Sequence, residues 1–305
     1  ASGVVTVGRK DKLWTVNEAS GYPARMDKIG EILNGLAQLE TIEAKTSVAK
    51  RYGKLEVGEP TAKGTKSARV VVSDAQGTTL ADLIVGKIKY SISGADGIYV
   101  RRPGEERAWL VRGKLEVPQD RLGWVDQSVM EIDLDRVRSV VLRVPGNKAL
   151  TLFKDKRSQQ DFKIKNMPKG TEIKDVFTVE DIARILQSLT FADVRRADKV
   201  KIDMAALPRA HYLTFDGLQL DLWVAEADGK TWLAAKAAAM KKPAPDAKVK
   251  KEIAAINARF ADWRFALPDY EFTSLKHTLK ELVKPKKAKK PKGAQAATPA
   301  KKPGK

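Results

Sequence analysis

The sequence predicts an α+β fold of two duplicated units, each built from antiparallel β-hairpins with one packed amphipathic helix, followed by a disordered basic tail. Three observations support this fold class. Short apolar runs alternate with turns rich in Gly, Pro and Asp, which is typical of hairpins. A helical apolar stripe occurs once in each half of the chain. The residues after Val283 are rich in Lys, Pro and Ala and include no acidic side chain.

In the first half, the pattern predicts three pairs of strands around one helix. The strands are expected over residues 4–7 and 13–16, 69–73 and 78–85, and 97–101 and 107–111. The helix follows Pro23, a residue that suits the first helical turn. Its apolar stripe consists of Ile29, Ile32, Leu33, Leu36 and Leu39. Other elements must therefore cover one face of this helix.

The second half repeats this order of elements. Strands are expected over residues 149–153, 161–164, 211–215 and 218–224. A second apolar stripe consists of Ile182, Ile185, Leu186 and Leu189. Each of these residues follows its counterpart in the first stripe by the same number of positions. The segment Thr178–Asp181 has the pattern of a capping box. We therefore expect an internal duplication, with one unit at residues 1–144 and another at 145–283.

Further elements complete the second unit. Asp228 and Gly229 are expected to turn a hairpin between two apolar runs. A helix is then expected over residues 248–260, a strand over 263–268 and a closing helix over 273–283.

Composition excludes several classes of protein. The chain has 57 Lys and Arg against 38 Asp and Glu, which gives a formal charge of +19. It has no Cys and two His, so disulfide frameworks, Cys-ligated zinc and thiol nucleophiles are excluded. It contains no G-x-G-x-x-G, H-E-x-x-H or G-x-S-x-G motif. We expect no cofactor and no metal site.

The titratable and aromatic residues give no catalytic assignment. His211 opens a predicted strand, and His277 precedes Glu281 by about one helical turn, which suits a surface hydrogen bond or ion pair. The six Trp residues are expected to pack in the core or across strands. Asp133 and Asp135 are interpreted as solvated charge. Because carboxylates can converge in space, a hydrolase with a spatially assembled acidic site remains an alternative.

One charged hairpin is a candidate docking edge. Arg101, Arg102 and Arg107 surround Glu105 and Glu106 at the turn between the strands expected at 97–101 and 107–111. These arginines could contact a partner protein. The alternative is an ordinary charged loop.

The segment 284–305 is expected to be a flexible basic arm. It has almost nothing apolar to bury, so it cannot offset an ordering cost of about 1–2 kcal/mol per residue. Its charge would attract a polyanion, either nucleic acid or anionic lipid. A solubilising tail without a partner is the alternative. The candidate polyanion contacts are Lys284, Lys286, Lys287, Lys289, Lys290 and Lys292.

Several short segments follow one another in a recognisable order, at residues 13–16, 22–24, 52–57, 59–60, 84–86, 98–101, 108–111 and 124–126. Their order resembles the domain-of-unknown-function family 4340. The resemblance implies a bacterial envelope protein with one N-terminal membrane anchor, often encoded near gliding-motility-type ABC transporter components. It implies no activity, so it gives no catalytic residues. The anchor is expected to lie outside a chain that begins at Ala1.

Together these observations predict a non-enzymatic binding or scaffold protein. It is expected on the periplasmic side of the cell envelope, as an accessory to an ABC-type membrane transport assembly. No small-molecule substrate is expected. The alternative is a basic protein that binds nucleic acid or anionic lipid through its Lys-rich tail.

Overall fold

The computed structural model describes residues 3–62, 64–90, 96–202, 207–268 and 273–286. The fold is α+β with antiparallel sheets, as predicted. The elements up to residue 112 are β1 (Val7–Lys10), β2 (Leu13–Val16), β3 (Tyr22–Pro23), α1 (Met26–Ala37), β4 (Glu40–Ala44), α2 (Tyr52–Leu55), β5 (Ala68–Ser73), β6 (Thr79–Lys89), β7 (Gly97–Arg101) and β8 (Ala108–Arg112). The later elements are β9 (Ser128–Met130), β10 (Val137–Arg143), β11 (Leu150–Phe153), β12 (Lys163–Ile164), β13 (Thr171–Ile173), α3 (Val176–Arg184), β14 (Leu189–Thr190), β15 (Asp193–Arg196), β16 (Arg209–Thr214), β17 (Leu218–Ala227), β18 (Lys230–Ala239), α4 (Ala247–Asp262), β19 (Trp263–Leu267), a short helix (Leu279–Leu282) and β20 (Val283–Pro285).

A five-stranded sheet forms in the first half, in the order β4-β8-β7-β6-β5. Every neighbouring pair is antiparallel. Because side chains alternate along a strand, one face of the sheet is apolar. This inner face carries Val70, Val85, Val100 and Val111, and α1 packs against it through the buried Ile32.

An eight-stranded sheet forms in the second half, in the order β12-β11-β10-β16-β17-β18-β19-β15. Its inner face includes Leu218, Leu220 and Leu222, which are almost fully buried. Two helices cover this face. Their buried residues are Val179, Ile182 and Ala183 in α3, and Val249, Ile256 and Phe260 in α4.

The two sheets share a strand order. In each, four consecutive strands form a meander, β5 to β8 and β16 to β19, and the preceding strand pairs with the last one, β4 with β8 and β15 with β19. A covering helix, α1 or α3, comes before that strand in the chain. The second sheet is extended by β10, β11 and β12, and the connection between the last two strands of the meander also differs. β7 and β8 are joined by a short turn, whereas α4 lies between β18 and β19.

The boundary between the halves differs from the prediction. β10 pairs with both β11 and β16, so the chain on either side of residue 144 belongs to one sheet. The second sheet therefore begins at Val137. In addition, Val16 and Tyr22 join the core of the second half, where the Tyr22 ring lies 4.9 Å from that of Trp263. The sequence pattern around residue 144 does not reveal these contacts, because they join segments that are far apart in the chain.

Two helix ends also differ from the prediction. The carboxylate of Asp175 accepts hydrogen bonds from the backbone N–H groups of Phe177 and Thr178, so Asp175 caps α3. The predicted capping box at Thr178 is wrong because that residue lies inside the helix. A capping box occurs instead at Thr278, where the helix Leu279–Leu282 begins, and the closing helix expected over 273–283 is interrupted at residues 275–278.

The Lys-rich segment begins in an ordered strand. Lys284 and Pro285 belong to β20, which pairs with β13. The ammonium of Lys284 lies 3.7 Å from Glu172, and the backbone N–H of Lys286 donates to the carbonyl of Gly170. The expected disorder therefore does not begin at residue 284. The remaining candidate contacts, which lie outside the described residues, are Lys287, Lys289, Lys290 and Lys292.

Arg136 ties the β16–β17 turn to α4. Its guanidinium donates to Glu252 at 3.1 and 2.7 Å and to Asp216 at 2.7 Å. Burial raises the pKa of the Asp216 carboxyl, but hydrogen bonds from Arg136 and Thr214 outweigh this effect and leave the pKa below its usual 3.8. The ionised carboxylate of Asp216 therefore stabilises the folded state.

Two glycines in corresponding turns provide a matched test of how closely the segment before α4 packs on the β16–β17 turn. Gly77 and Gly217 both have positive φ, at 85° and 95°. A Cβ on Gly77 would meet open space, whereas one on Gly217 would lie 2.6 Å from the carbonyl oxygen of Pro243. We expect Gly77→Ala to destabilise the fold by about 1 kcal/mol through backbone strain, and Gly217→Ala to cost clearly more. Urea unfolding measures both, and equal costs would contradict the close approach.

The Asp216 carboxylate provides a test by pH. Because its folded pKa is lowered, its contribution is complete above the unfolded pKa and disappears as pH falls through the folded value. Below about pH 4 the unfolding free energy of the unchanged protein should fall with pH. We expect it to fall less steeply in Asp216→Asn, because that variant has no carboxylate to protonate at this position. Urea unfolding at several pH values measures this slope. When Arg136 is already replaced by Met, Asp216→Asn should change the dependence of unfolding free energy on pH less than it does in the unchanged protein. An equal change in both would contradict the role of Arg136 in lowering the pKa of Asp216.

Candidate functional site

The predicted docking hairpin is only partly exposed. Arg101 is buried, and its Nε donates to the carbonyl of Val57 at 2.9 Å. A second guanidinium nitrogen donates to Glu59 at 2.5 Å. Arg101 is therefore an internal link rather than a surface contact. Arg102 and Arg107 are exposed, and for them a docking role stays a prediction.

The acidic pairs singled out in the sequence lie at the surface. Glu105, Glu106, Asp133 and Asp135 are all exposed, which agrees with solvated charge. Two of them pair with arginine: Glu105 lies 3.6 Å from Arg102, and Asp135 lies 2.8 Å from Arg157.

The two histidines have different surroundings. Nδ1 of His277 lies 3.3 Å from Glu281, as the spacing predicts. Nδ1 of His211 lies 2.6 Å from Asp221, which also accepts from Arg209 at 2.8 Å. The sequence analysis missed this second group because its members lie on adjacent strands, where His211 pairs directly with Asp221. The Arg209 guanidinium and the contact with the His211 ring compensate the burial of the Asp221 carboxylate.

An apolar groove crosses part of the inner face of the five-stranded sheet. It has a volume of about 640 Å³. Its apolar lining residues are Leu36, Leu39, Leu80, Ala81, Leu83, Val100, Trp109 and Val111. Leu80 is 67% exposed, which is unusual for a large aliphatic side chain. The groove exists because α1, whose buried residues are Ile29 and Ile32, covers only part of this face.

In the second sheet, α4 occupies the place that corresponds to the groove. The groove lies at the start of β6, the end of β7 and the start of β8. α4 packs on the corresponding strand ends of β18 and β19. The side-chain amide of Asn257 makes two hydrogen bonds, at 2.8 and 2.9 Å, with the backbone of Ala237 in β18. The ring of Phe260 lies 5.2 Å from that of Phe265 in β19.

The charged residues of the groove are already paired. Arg69 donates to Asp82 at 2.8 and 2.6 Å, and these hydrogen bonds lower the pKa of the Asp82 carboxyl. Glu105 is paired with Arg102, as above. The groove therefore offers a partner both apolar side chains and charges that are already paired.

Sequence reasoning named some of these residues without assigning the groove. Leu36 and Leu39 belong to the predicted helical stripe, for which full coverage was expected. Leu80 lies in the strand predicted over 78–85, where the sequence gives it the pattern of an ordinary strand residue. It could not be interpreted alone, because the groove combines residues from α1, β6, β7 and β8 that are far apart in the sequence.

Two searches of the described ranges found nothing. No three metal-binding side chains come together there. No helix there has the length and apolar character needed to cross a membrane.

Comparison with known proteins identifies the family. The family described as "Domain of unknown function (DUF4340)" matches residues 14–206. No curated protein and no solved structure matches the chain. The matched region covers more than half of the chain and contains the whole five-stranded sheet with its groove. The chain therefore belongs to the DUF4340 family.

Proposed function

We propose that this protein is a non-enzymatic binding protein of the bacterial cell envelope, accessory to an ABC-type transport assembly, and that its groove binds a helix of a partner polypeptide. The observation that carries the docking role is the apolar groove at the place that α4 fills in the second sheet. The envelope location and the transporter association rest on the resemblance of the sequence segments alone.

We also propose that the two sheets arose by an internal duplication. Such a duplication would explain why α4 in the second sheet and the groove in the first lie at corresponding places. The five strands of the first sheet and the strands β15 to β19 of the second have the same order, and a covering helix precedes each set of five in the chain. Ile29 and Ile32 in α1 correspond in spacing to Ile182 and Ile185. Under this proposal α4 is an insertion in the second copy, and the first copy takes its covering helix from another protein.

The shape of α4 indicates what the partner helix should look like. α4 has 16 residues and buries Val249, Ile256 and Phe260 on one side. A partner helix should likewise present apolar residues about one turn apart, with polar residues elsewhere. Since Asp82 and Arg102 give the groove both signs of charge, the partner helix should carry little net charge on its apolar side.

Site-specific photocrosslinking in the native cell tests the docking role. We expect a photoreactive residue at Leu80 to form adducts with one partner polypeptide, at a segment whose apolar residues follow helical spacing. Mass spectrometry maps the crosslinked peptide. An unlabelled copy of the protein should compete with the photoreactive copy for the partner. When the unlabelled copy carries Leu80→Lys, it should compete about tenfold less well, because a charge would enter an apolar contact.

Val71 provides the matched control. It is 51% exposed on β5 of the same sheet but does not line the groove. We expect neither crosslinks at residue 71 nor an effect of Val71→Lys on competition. Equal crosslinking at positions 71 and 80, or adducts of residue 80 only with its own chain, would reject the docking role.

Polyanion binding through the Lys-rich tail is the second candidate function. The observation that favours it is the concentration of Lys after Val283 in a chain of formal charge +19. Because β20 extends to Pro285, a truncation should end at Lys286 rather than at Val283. We expect the full chain to bind duplex DNA or anionic vesicles with an affinity that falls steeply with salt, and the truncated chain to lose most of it. Binding that survives truncation or ignores salt would contradict this role.

A further inference from the structure

A second concavity lies on the other half of the molecule. This Lys154 cleft has a volume of about 1140 Å³ and lies between α3, the segment at 133–135 and the segment at 154–161. Most of its lining is polar. Its lining residues are Asp133, Leu134, Asp135, Lys154, Arg157, Ser158, Gln159, Gln160, Asp161, Val176, Phe177, Glu180, Arg184 and Gln187.

Lys154 distinguishes this cleft from an ordinary surface depression. It is 4% exposed, and its ammonium lies 4.4 Å from the centre of the Phe162 ring. Among the described residues no side chain forms a hydrogen bond or ion pair with Nζ of Lys154, and this atom opens to the cleft that the residue lines. Burial lowers the pKa of Lys154, although the nearby carboxylates of Glu180, Asp135 and Asp161 oppose this effect.

Arg264 also has no ion-pair partner among the described residues, but it donates to the backbone carbonyls of Phe260 and Trp263. Three other buried charges are paired with a side chain of opposite sign. Arg101 pairs with Glu59 at 2.5 Å. Asp193 pairs with Arg121 at 2.8 Å and also with Lys230. Asp221 pairs with Arg209, as described above. A buried charge without a partner is unfavourable, so Lys154 is a place where an anionic group from outside would be stabilising.

The two arginines of the cleft are less available for an anion than Lys154. Arg157 lies 2.8 Å from Asp135, and Arg184 pairs with Glu180. Their charges are therefore largely compensated within the protein. The incoming anion must fit a site where carboxylates also lie close, which favours one carboxylate on a polar molecule over a multiply charged group.

The rest of the lining fits a hydroxylated molecule. Ser158 and Gln160 carry hydrogen-bond donors and acceptors, and Asp161 adds a carboxylate that accepts from hydroxyl groups. Phe177 is 71% exposed, so its ring can pack against the C–H face of a sugar. Amide, hydroxyl and carboxylate groups beside an exposed aromatic ring suit a pyranose, and Lys154 suits an acidic substituent.

We propose that the Lys154 cleft binds an acidic sugar, with the sugar carboxylate at the ammonium of Lys154 and the sugar ring against Phe177. This binding site is independent of the groove on the five-stranded sheet, so either proposal can fail without the other.

Saturation-transfer NMR with the full chain tests the site, with D-glucuronate as the probe and D-glucose as its neutral counterpart. We expect glucuronate to bind saturably and glucose to bind at least about tenfold more weakly, because a charged hydrogen bond would be missing. Lys154→Met keeps the length of the side chain beside Phe162 but removes the charge. This variant should lose the preference for glucuronate, whereas Lys163→Met, at an exposed lysine paired with Asp155, should keep it.

The melting temperature separates a binding role of Lys154 from a structural role. Removing an unpaired buried charge should leave the melting temperature unchanged or higher, so lost binding with retained stability supports the site. Phe177→Ala, at an exposed position, should weaken the binding of glucuronate even if Lys154→Met fails to fold. Equal binding of glucuronate and glucose, no binding, or no effect of Phe177→Ala would overturn the proposal. Acetate that binds as tightly as glucuronate would show a simple anion site and would also overturn it.

Discussion

The apolar inner face of each antiparallel sheet must be covered, and most of the structure follows from how this requirement is met. The five-stranded sheet is covered by α1 and the eight-stranded sheet by α3 and α4. Apolar burial is worth about 25 cal/mol per Å², so a helix that crosses a sheet face contributes a large share of the stability of its unit. The same requirement explains the groove, since α1 is too short to cover the whole inner face.

Paired buried charges hold the covered parts in place. Arg136 connects the start of β10 with the β16–β17 turn and with α4 through Asp216 and Glu252. Asp193, at the start of β15, connects the eight-stranded sheet with Arg121 from the preceding segment. These contacts pair charges that have left water, so their value lies more in fixing the arrangement than in net stability.

Local patterns predicted the hairpins well, because their turn residues and alternating strands are neighbours in sequence. The strands expected at 97–101 and 107–111 are observed at Gly97–Arg101 and Ala108–Arg112. The helix expected at 248–260 is α4, at Ala247–Asp262. The prediction failed where distant contacts decide. β10 was missed because its strand character depends on pairing with β11 and β16. The cap of α3 was misplaced because Asp175 and Thr178 are both suitable capping residues.

By itself, the sequence determined the α+β class, the positions of the main hairpins and helices, and the excess of positive charge. These properties depend on composition and on periodicity over a few residues. Only the tertiary structure decided that Arg101 is internal, that Leu80 lies in an open groove and that Lys154 is buried with its ammonium against Phe162. The physical reason is that each of these properties depends on what the rest of the chain places around the residue. Burial and ion pairing across strands leave no pattern in the neighbouring positions of the sequence.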